Sequence, residues 1–237
     1  MEKRYEKNLG TFSEIELQKL RNAKVFIAGC GGSGYIIDEL IRLGVEYIGV
    51  ADGDIFEESN LNRQMLCNMS SIGRKKVIVA YEYAKNINPQ IDFQIYPFYL
   101  NDDNIDSIIC KYDIVLECVD NIESKILIYR TCTKFNIPFV FGGMSKWIGQ
   151  VGASLGKNNI AEKIYGVNKQ EKNNEPQMAS TTSFINAFTS SLYVLFCVKI
   201  LTEQYFESGK LYIYDLYGMK IAHISSPKQK FLLFRKW

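Results

Sequence analysis

The stretch from Ile27 to Gln64 constrains this chain most: IAGCGGSG, a second apolar run closing on Asp52, and then GDIFEESNLNRQ. Lys24-Val25-Phe26-Ile27-Ala28 is short, apolar and β-branched, and Ile36, Ile37, Leu40, Ile41 and Leu43 follow at helical spacing. The order is strand, then Gly29-x-Gly31-Gly32-x-Gly34, then helix. In such a turn the first glycine permits the bend, the second admits a phosphate close to backbone, and the third lets helix pack on strand. The helix N-terminus adds free N–H groups and the positive end of a dipole. Tyr47 to Ala51 reads as the next strand, and Asp52 closes it at a place where an acid can accept both ribose hydroxyls. A glycine loop alone is often a plain turn; strand, helix and acid together favour a nucleotide.

The next segment bears on phosphate chemistry. Asn60, Arg63 and Gln64 cluster, and Lys76 follows Gly73, so two permanent cations and two amides can converge on phosphates. Arginine grips phosphate oxygens through a fork of N–H groups, whereas lysine supplies a point charge. A dinucleotide dehydrogenase has less use for such a cluster. Asp120 ends the apolar run 113–119, at the carboxyl edge of the same predicted sheet, where a carboxylate could hold Mg2+ between phosphates. The plainer alternatives are a solvated basic turn at Arg74-Lys75-Lys76 and a helix N-cap at Asp120.

IAGCGGSG, ADGDIFEESNLNRQ, SIGRKK, NINPQ, LECVDN and GQV, in this order and at these separations, resemble the ThiF/MoeB/HesA family, relatives of the ubiquitin-activating enzymes. The resemblance covers residues 4 to 155 clearly and the rest loosely. It implies an adenylyltransferase that activates a C-terminal carboxylate with ATP and Mg2+, releasing pyrophosphate. It implies Gly31 and Gly32 on a phosphate loop completed by Gly29 and Gly34, Asp52 on the ribose with Asp54 beside it, Asn60, Arg63, Gln64 and Lys76 around the phosphates, and Asp120 on Mg2+. Arg4-Tyr5 resembles an N-terminal element from which a basic residue reaches the partner subunit's nucleotide. The family has a second arginine three places on; this chain has Lys7, which keeps the charge and loses the fork. The family is typically dimeric, and the aromatic run Ile95 to Tyr99 offers apolar faces, so a homodimer is expected.

Cysteine usage departs from that pattern. None of the six cysteines forms a CxxC pair, so the structural zinc carried by many bacterial relatives is not expected. Residues 151–196, where the family's transfer cysteine usually lies, contain none, so the chemistry is expected to stop at the acyl-adenylate. Cys30 and Cys67 lie near the predicted nucleotide, where a helix N-terminus can lower a thiol pKa, but each reads first as small buried packing. His223, the single histidine, reads as structural. Scattered, unpaired cysteines fit a reducing cytoplasm.

The length of 237 residues permits one large domain, and a net charge of +2 gives no footprint for DNA or RNA. Alternating strands and helices predict an α/β fold: a doubly wound, Rossmann-like, mainly parallel sheet with helices on both faces, then a mixed or antiparallel extension. Strands are expected at 24–29, 47–52, 93–99, 113–119 and 138–142, with helices at 34–43, 72–86 and 121–135. Further on come a strand from Ile148 to Leu155, a buried helix from Phe184 to Leu201, and strands at Leu211 to Asp215, Met219 to Ile224 and Lys230 to Phe234. The division is an N-terminal helical arm at 1–23, a nucleotide-binding core at 24–155, a mobile crossover loop at 156–178, and a helix with terminal strands at 179–237. There is no basic, apolar leader, and Asn186, Thr189, Ser190, Ser191 and Lys199 make the late helix too polar for a membrane span. The expected acyl donor is a small ubiquitin-like sulfur carrier or a ribosomal peptide with a free C-terminus. Other readings are cyclisation of threonylcarbamoyladenosine in tRNA, a nicotinamide-dependent oxidoreductase and an inactive nucleotide-binding scaffold.

Overall fold

Five parallel strands form first: β1 (Lys24–Ala28), β2 (Tyr47–Ala51), β3 (Asp92–Tyr96), β4 (Ile114–Glu117) and β5 (Phe139–Ser145). Three more, β6 (Ile148–Ser154), β7 (Leu211–Asp215) and β8 (Lys220–Ile224), continue the sheet antiparallel, giving eight strands in the order β3-β2-β1-β4-β5-β6-β7-β8. The structure is a computed structural model that describes residues 2–155, 161, 164, 180–205 and 207–224. The expected strand at Lys230 to Phe234 lies outside the described residues, as does most of the expected crossover loop.

Beside the strands, among the described residues, stand the α-helices α1 (Glu14–Asn22), α2 (Gly34–Leu43), α3 (Lys76–Ile87), α4 (Ile105–Ile109), α5 (Ile122–Phe135) and α6 (Ser183–Leu201). Successive strand side chains point to opposite faces, and β1 sorts them accordingly. Val25 and Ile27 join a core with Ile37, Leu40, Ile41, Val77, Ala80 and Cys197, beneath α2, α3 and α6. Phe26 and Ala28 join a second core with Ile108, Ile109, Ile128 and Cys132, beneath α4 and α5. The four β1 residues are fully buried, and each large apolar side chain so buried contributes about 1.5–3 kcal/mol.

Several boundaries differ from expectation for local reasons. β3 ends at Tyr96 rather than 99 because Pro97 cannot donate to a ladder. α3 starts at Lys76 rather than 72: Gly73 is left-handed at φ 80°, and Ile72 and Lys75 bridge back to Phe56 and Ile55. The short α4 was not anticipated. The N-terminal arm is a 3-10 helix at Lys3–Asn8 followed by α1, whose first turn closes with a reciprocal Ser13 and Glu16 capping box. Within the expected crossover loop, the described Ala161 and Ile164 are helical; Ala161 is fully buried in the second core and Ile164 packs against it. His223 lies exposed on β8 with its ring near Tyr212.

The expectation for α6 also needs correction. Its 19 residues are long and apolar enough, by length and composition alone, to cross a membrane, with mean hydropathy 1.7 in an 18-residue window. Its polar residues are not what marks it as internal, since Asn186, Thr189 and Ser190 are themselves buried. Thr189 bonds the Tyr214 hydroxyl, and Tyr193 donates to the Glu117 carbonyl at 2.9 Å, which ties the helix to the sheet.

Candidate active site

β1 has β2 on one side and β4 on the other, and the helices after β1 and β4 leave toward opposite faces. The loops therefore part at the carboxyl edge and open a crevice, the usual ligand position in an open α/β sheet. Gly29 turns the chain there with φ 99°, its N–H donating to the Ala51 carbonyl at 2.8 Å. A Cβ on Gly29 would stand 2.5 Å from the Cys118 carbonyl oxygen, so the first glycine is needed both for its backbone angle and for its space. A Cβ on Gly31 would meet the Gln64 amide at 3.1 Å, and one on Gly34 would meet Leu66 at 3.0 Å and Met65 at 3.3 Å. The third glycine thus makes room for the 65–66 segment rather than for the strand.

Asp52 ties the loop to β2. One carboxylate oxygen accepts from the Cys30 N–H at 2.7 Å and the other from the Asp54 N–H at 2.8 Å. Each oxygen retains a further acceptor site, so both ribose hydroxyls still fit.

The 57–64 segment is built by its own amides. Asn60 is buried: its Oδ1 accepts from the Glu57 N–H at 3.1 Å, and its carbonyl takes the Gln64 N–H at 2.9 Å. Arg63 stands half-buried, donating from Nη1 to the Ser59 carbonyl and the Asn62 side chain, each at 2.8 Å. Gln64 is buried beside Gly31, and its Oε1 has no hydrogen-bond partner among the described residues.

The basic turn splits into three fates. Arg74 pairs with Glu82 at 2.6 Å, Lys75 donates to the Gly53 carbonyl, and Lys76 turns inward. The buried Lys76 ammonium stands 3.0 Å from Asp54, whose other oxygen receives the Tyr99 hydroxyl. Burial pushes the Asp54 carboxyl up, but the Tyr99 and Lys76 hydrogen bonds outweigh it and hold its pKa below the ordinary value. Tyr99 shifts the other way, its phenol raised mainly by the Asp54 carboxylate it bonds and also by Asp52 and Asp120.

Asp120 is exposed, and it is not the cap of α5. Asn121 fills that role, its side chain accepting from the Ser124 N–H at 2.8 Å, so the Asp120 carboxylate remains available at the crevice edge. Among the described residues no three His, Cys, Asp or Glu side chains gather into a metal site. A magnesium ion commonly takes one or two carboxylates and completes its shell with phosphate oxygens and water, which Asp120 suits.

Arg4 and Lys7 are not brought to this crevice. Arg4 donates to the Ile87 carbonyl at 3.1 Å and to Asn88 at 3.2 Å and pairs with Glu2 at 2.8 Å, at the far end of α3 from Lys76. Twelve helical residues separate those ends by about 18 Å, and Lys7 is exposed in the same N-terminal 3-10 helix as Arg4. Both therefore lie away from the chain's own crevice; the resemblance assigns this element to the partner subunit's nucleotide. The thiols near the loop are packing groups: burial raises the pKa of Cys30, and Cys67 is buried with its sulfur 3.6 Å from the Glu57 carbonyl.

Three contributions were missed in the sequence. Tyr99 was assigned to a partner face, yet its ring leaves no space for a Cβ on Gly53. Glu117, fully buried at the end of β4, pairs with Lys125 at 2.6 Å, and Lys125 also donates to the Gly142 carbonyl at 3.0 Å, holding the turn that carries Asp120. A glutamate closing the apolar strand IVLE, eight places before a lysine, was the available signal. Asn186 on α6 donates to the Arg63 carbonyl at 2.9 Å; its signal was one amide in an apolar helix.

A glycine loop at the switch point of a parallel sheet, backed by an acid that bridges β1 and β2, defines a Rossmann-like α/β protein. The chain belongs to the ThiF family, whose profile matches residues 5–231. It is 37% identical over 142 residues to the adenylyltransferase and sulfurtransferase UBA4 of Candida albicans, a match covering 59% of this chain and 32% of that protein. It is 33% identical over 135 residues to a sulfur carrier protein adenylyltransferase of Thermus thermophilus, covering 56% of this chain and 50% of that one. The alignments thus span between a third and a half of these relatives. Among solved structures, E. coli MccB with ATP has the same fold at TM-score 0.76 and 23% identity, covering 94% of this chain and 71% of that one. E. coli TcdA, a tRNA N6-threonylcarbamoyladenosine dehydratase, follows at TM-score 0.71 and 19% identity, covering 84% and 94%.

Proposed function

We propose that this chain is an ATP-dependent adenylyltransferase that activates the C-terminal carboxylate of a small ubiquitin-like sulfur carrier or a ribosomal peptide. The observation that carries the reading is the convergence, on one crevice, of the glycine loop, Asp52, the buried Lys76 and Arg63. Its relatives' names, adenylyltransferases of sulfur carriers among them, support the same class.

In this reading a carboxylate oxygen attacks the α-phosphorus of ATP and the bond to the β-phosphate oxygen breaks, so an acyl-adenylate forms and pyrophosphate leaves. Two anions meet in that step, and charge grows on the phosphoryl oxygens and the leaving group. Fixed cations and backbone donors lower the barrier, with little need for a proton carrier. The glycine loop and the α2 N-terminus offer N–H groups, Arg63 a fork, and Lys76 a charge already held in place by Asp54. Asp120 would hold Mg2+, which supplies charge neutralisation to the phosphates. Asn60 and Gln64 act here through the shape of the loop that presents Arg63.

Carboxylate-dependent exchange of pyrophosphate into ATP tests the proposal. Arg63→Ala and Asp120→Ala are each expected to abolish exchange while the circular dichroism spectrum stays that of the parent. Near-normal exchange by both variants, or binding of NAD without ATP, overturns it. We further propose a homodimer working in the cytoplasm as one domain, without zinc, DNA or membrane.

A further inference from the structure

Helix α6 holds one residue that neither helix propensity nor packing requires. Asn186 is 1% exposed in a helix otherwise dominated by apolar side chains. Asparagine is a mediocre helix former, and a buried amide is costly unless both its ends are bonded. Its Nδ2 donates to the Arg63 carbonyl at 2.9 Å, across 123 residues of chain. Its Oδ1 has no hydrogen-bond partner among the described residues and faces the glycine loop, 3.1 Å from where a Cβ on Gly32 would stand. Chemistry fixes that orientation, because turning the amide over would set two acceptor oxygens against each other at Arg63. A second tie runs alongside: the Asn62 side chain donates to the Thr181 carbonyl at 3.0 Å, just before α6 begins.

We propose that Asn186 is a positioning residue of the phosphate site. One end of its amide holds the loop that presents Arg63, and the other abuts Gly32, so the residue sets the gap between the arginine and the glycine cradle. The inference rests on the reading that Arg63 meets the nucleotide's phosphates. A side chain without a donor would fill the same space and release the Arg63 carbonyl. Arg63 would then lose its alignment with the phosphates, whereas the Asp52 side of the nucleotide would be untouched.

Calorimetric titration of the full chain with ATP and Mg2+, and separately with AMP, tests this. Asn186→Leu is expected to weaken ATP binding about tenfold, the scale of one lost hydrogen bond, with AMP changed by less than about twofold. Asn186→Ser, too short to reach the Arg63 carbonyl, should do the same, and it decides the matter if the leucine variant does not fold. Adding Asn186→Leu to Arg63→Ala should bring no further loss of ATP affinity. If Arg63→Ala keeps the parent ratio of ATP to AMP affinity, the phosphate-site reading itself fails. If Arg63→Ala lowers that ratio while the Asn186 variants keep it, or weaken both ligands equally, the positioning role alone is overturned.

Discussion

Neighbouring residues at the β4 to α5 turn separate stability from chemistry. Asn121 caps α5 through the Ser124 N–H, while Asp120 makes no such bond. Asn121→Ala should therefore cost about 1 kcal/mol in urea denaturation, and Asp120→Ala should leave the midpoint within experimental error. A loss of stability in Asp120→Ala instead would return the cap to that residue. Asp54 supplies a pH signature. Its folded pKa lies below the ordinary 3.8 because the Tyr99 and Lys76 hydrogen bonds outweigh burial, so the unfolded chain takes up its proton first as pH falls. Its contribution is present above the unfolded value and is lost as pH drops through the folded one. Between pH 5 and 3 the urea midpoint should fall less in Asp54→Asn than in the parent; parallel curves would remove Asp54 from the account.

At the scale of elements, the centre of the parallel sheet was legible because buried strands such as β1 and β4 read as apolar runs and Gly29 and Gly44 mark where β1 and α2 end. Pro97 was visible yet read through, and α4 was missed because five residues carry too little periodicity to detect. What could not be read were contacts that only the fold creates: Lys125 meeting Glu117 beneath Gly142, Tyr99 over Gly53, and Asn186 on the Arg63 carbonyl. Residue types singled out Arg63, Lys76 and Asp120, and the fold turns Lys76 inward onto Asp54 while leaving Asp120 exposed just after β4. Linear sequence does not say which end of α3 an N-terminal arm reaches; the fold sets Arg4 at the Ile87 end, away from Lys76. Gly29→Ala tests the tightest of these joints. It is expected to cost at least about 2 kcal/mol in chemical denaturation, from a strained φ and the contact with the Cys118 carbonyl. A neutral result would mean that β1 and β4 can part there freely.

For the whole molecule, the position of Arg4 sets the question of assembly. It lies about one helix length from its own Lys76, so any service at a nucleotide has to cross to another copy. Light scattering at micromolar concentration is expected to give twice the chain mass, and Arg4→Ala to lower exchange; a single-chain mass with full activity would sink the dimer. The joint at Gly29 has a different consequence. Its N–H is bound to β2, its Cα faces the Cys118 carbonyl, and the Cys118 N–H returns to Ala28 at 2.8 Å. The floor of the crevice is therefore the seam of three central strands, and its shape is inherited from the sheet's own twist. Loops farther from the seam can drift in sequence, but the floor of the crevice can change only as fast as the middle of the protein itself.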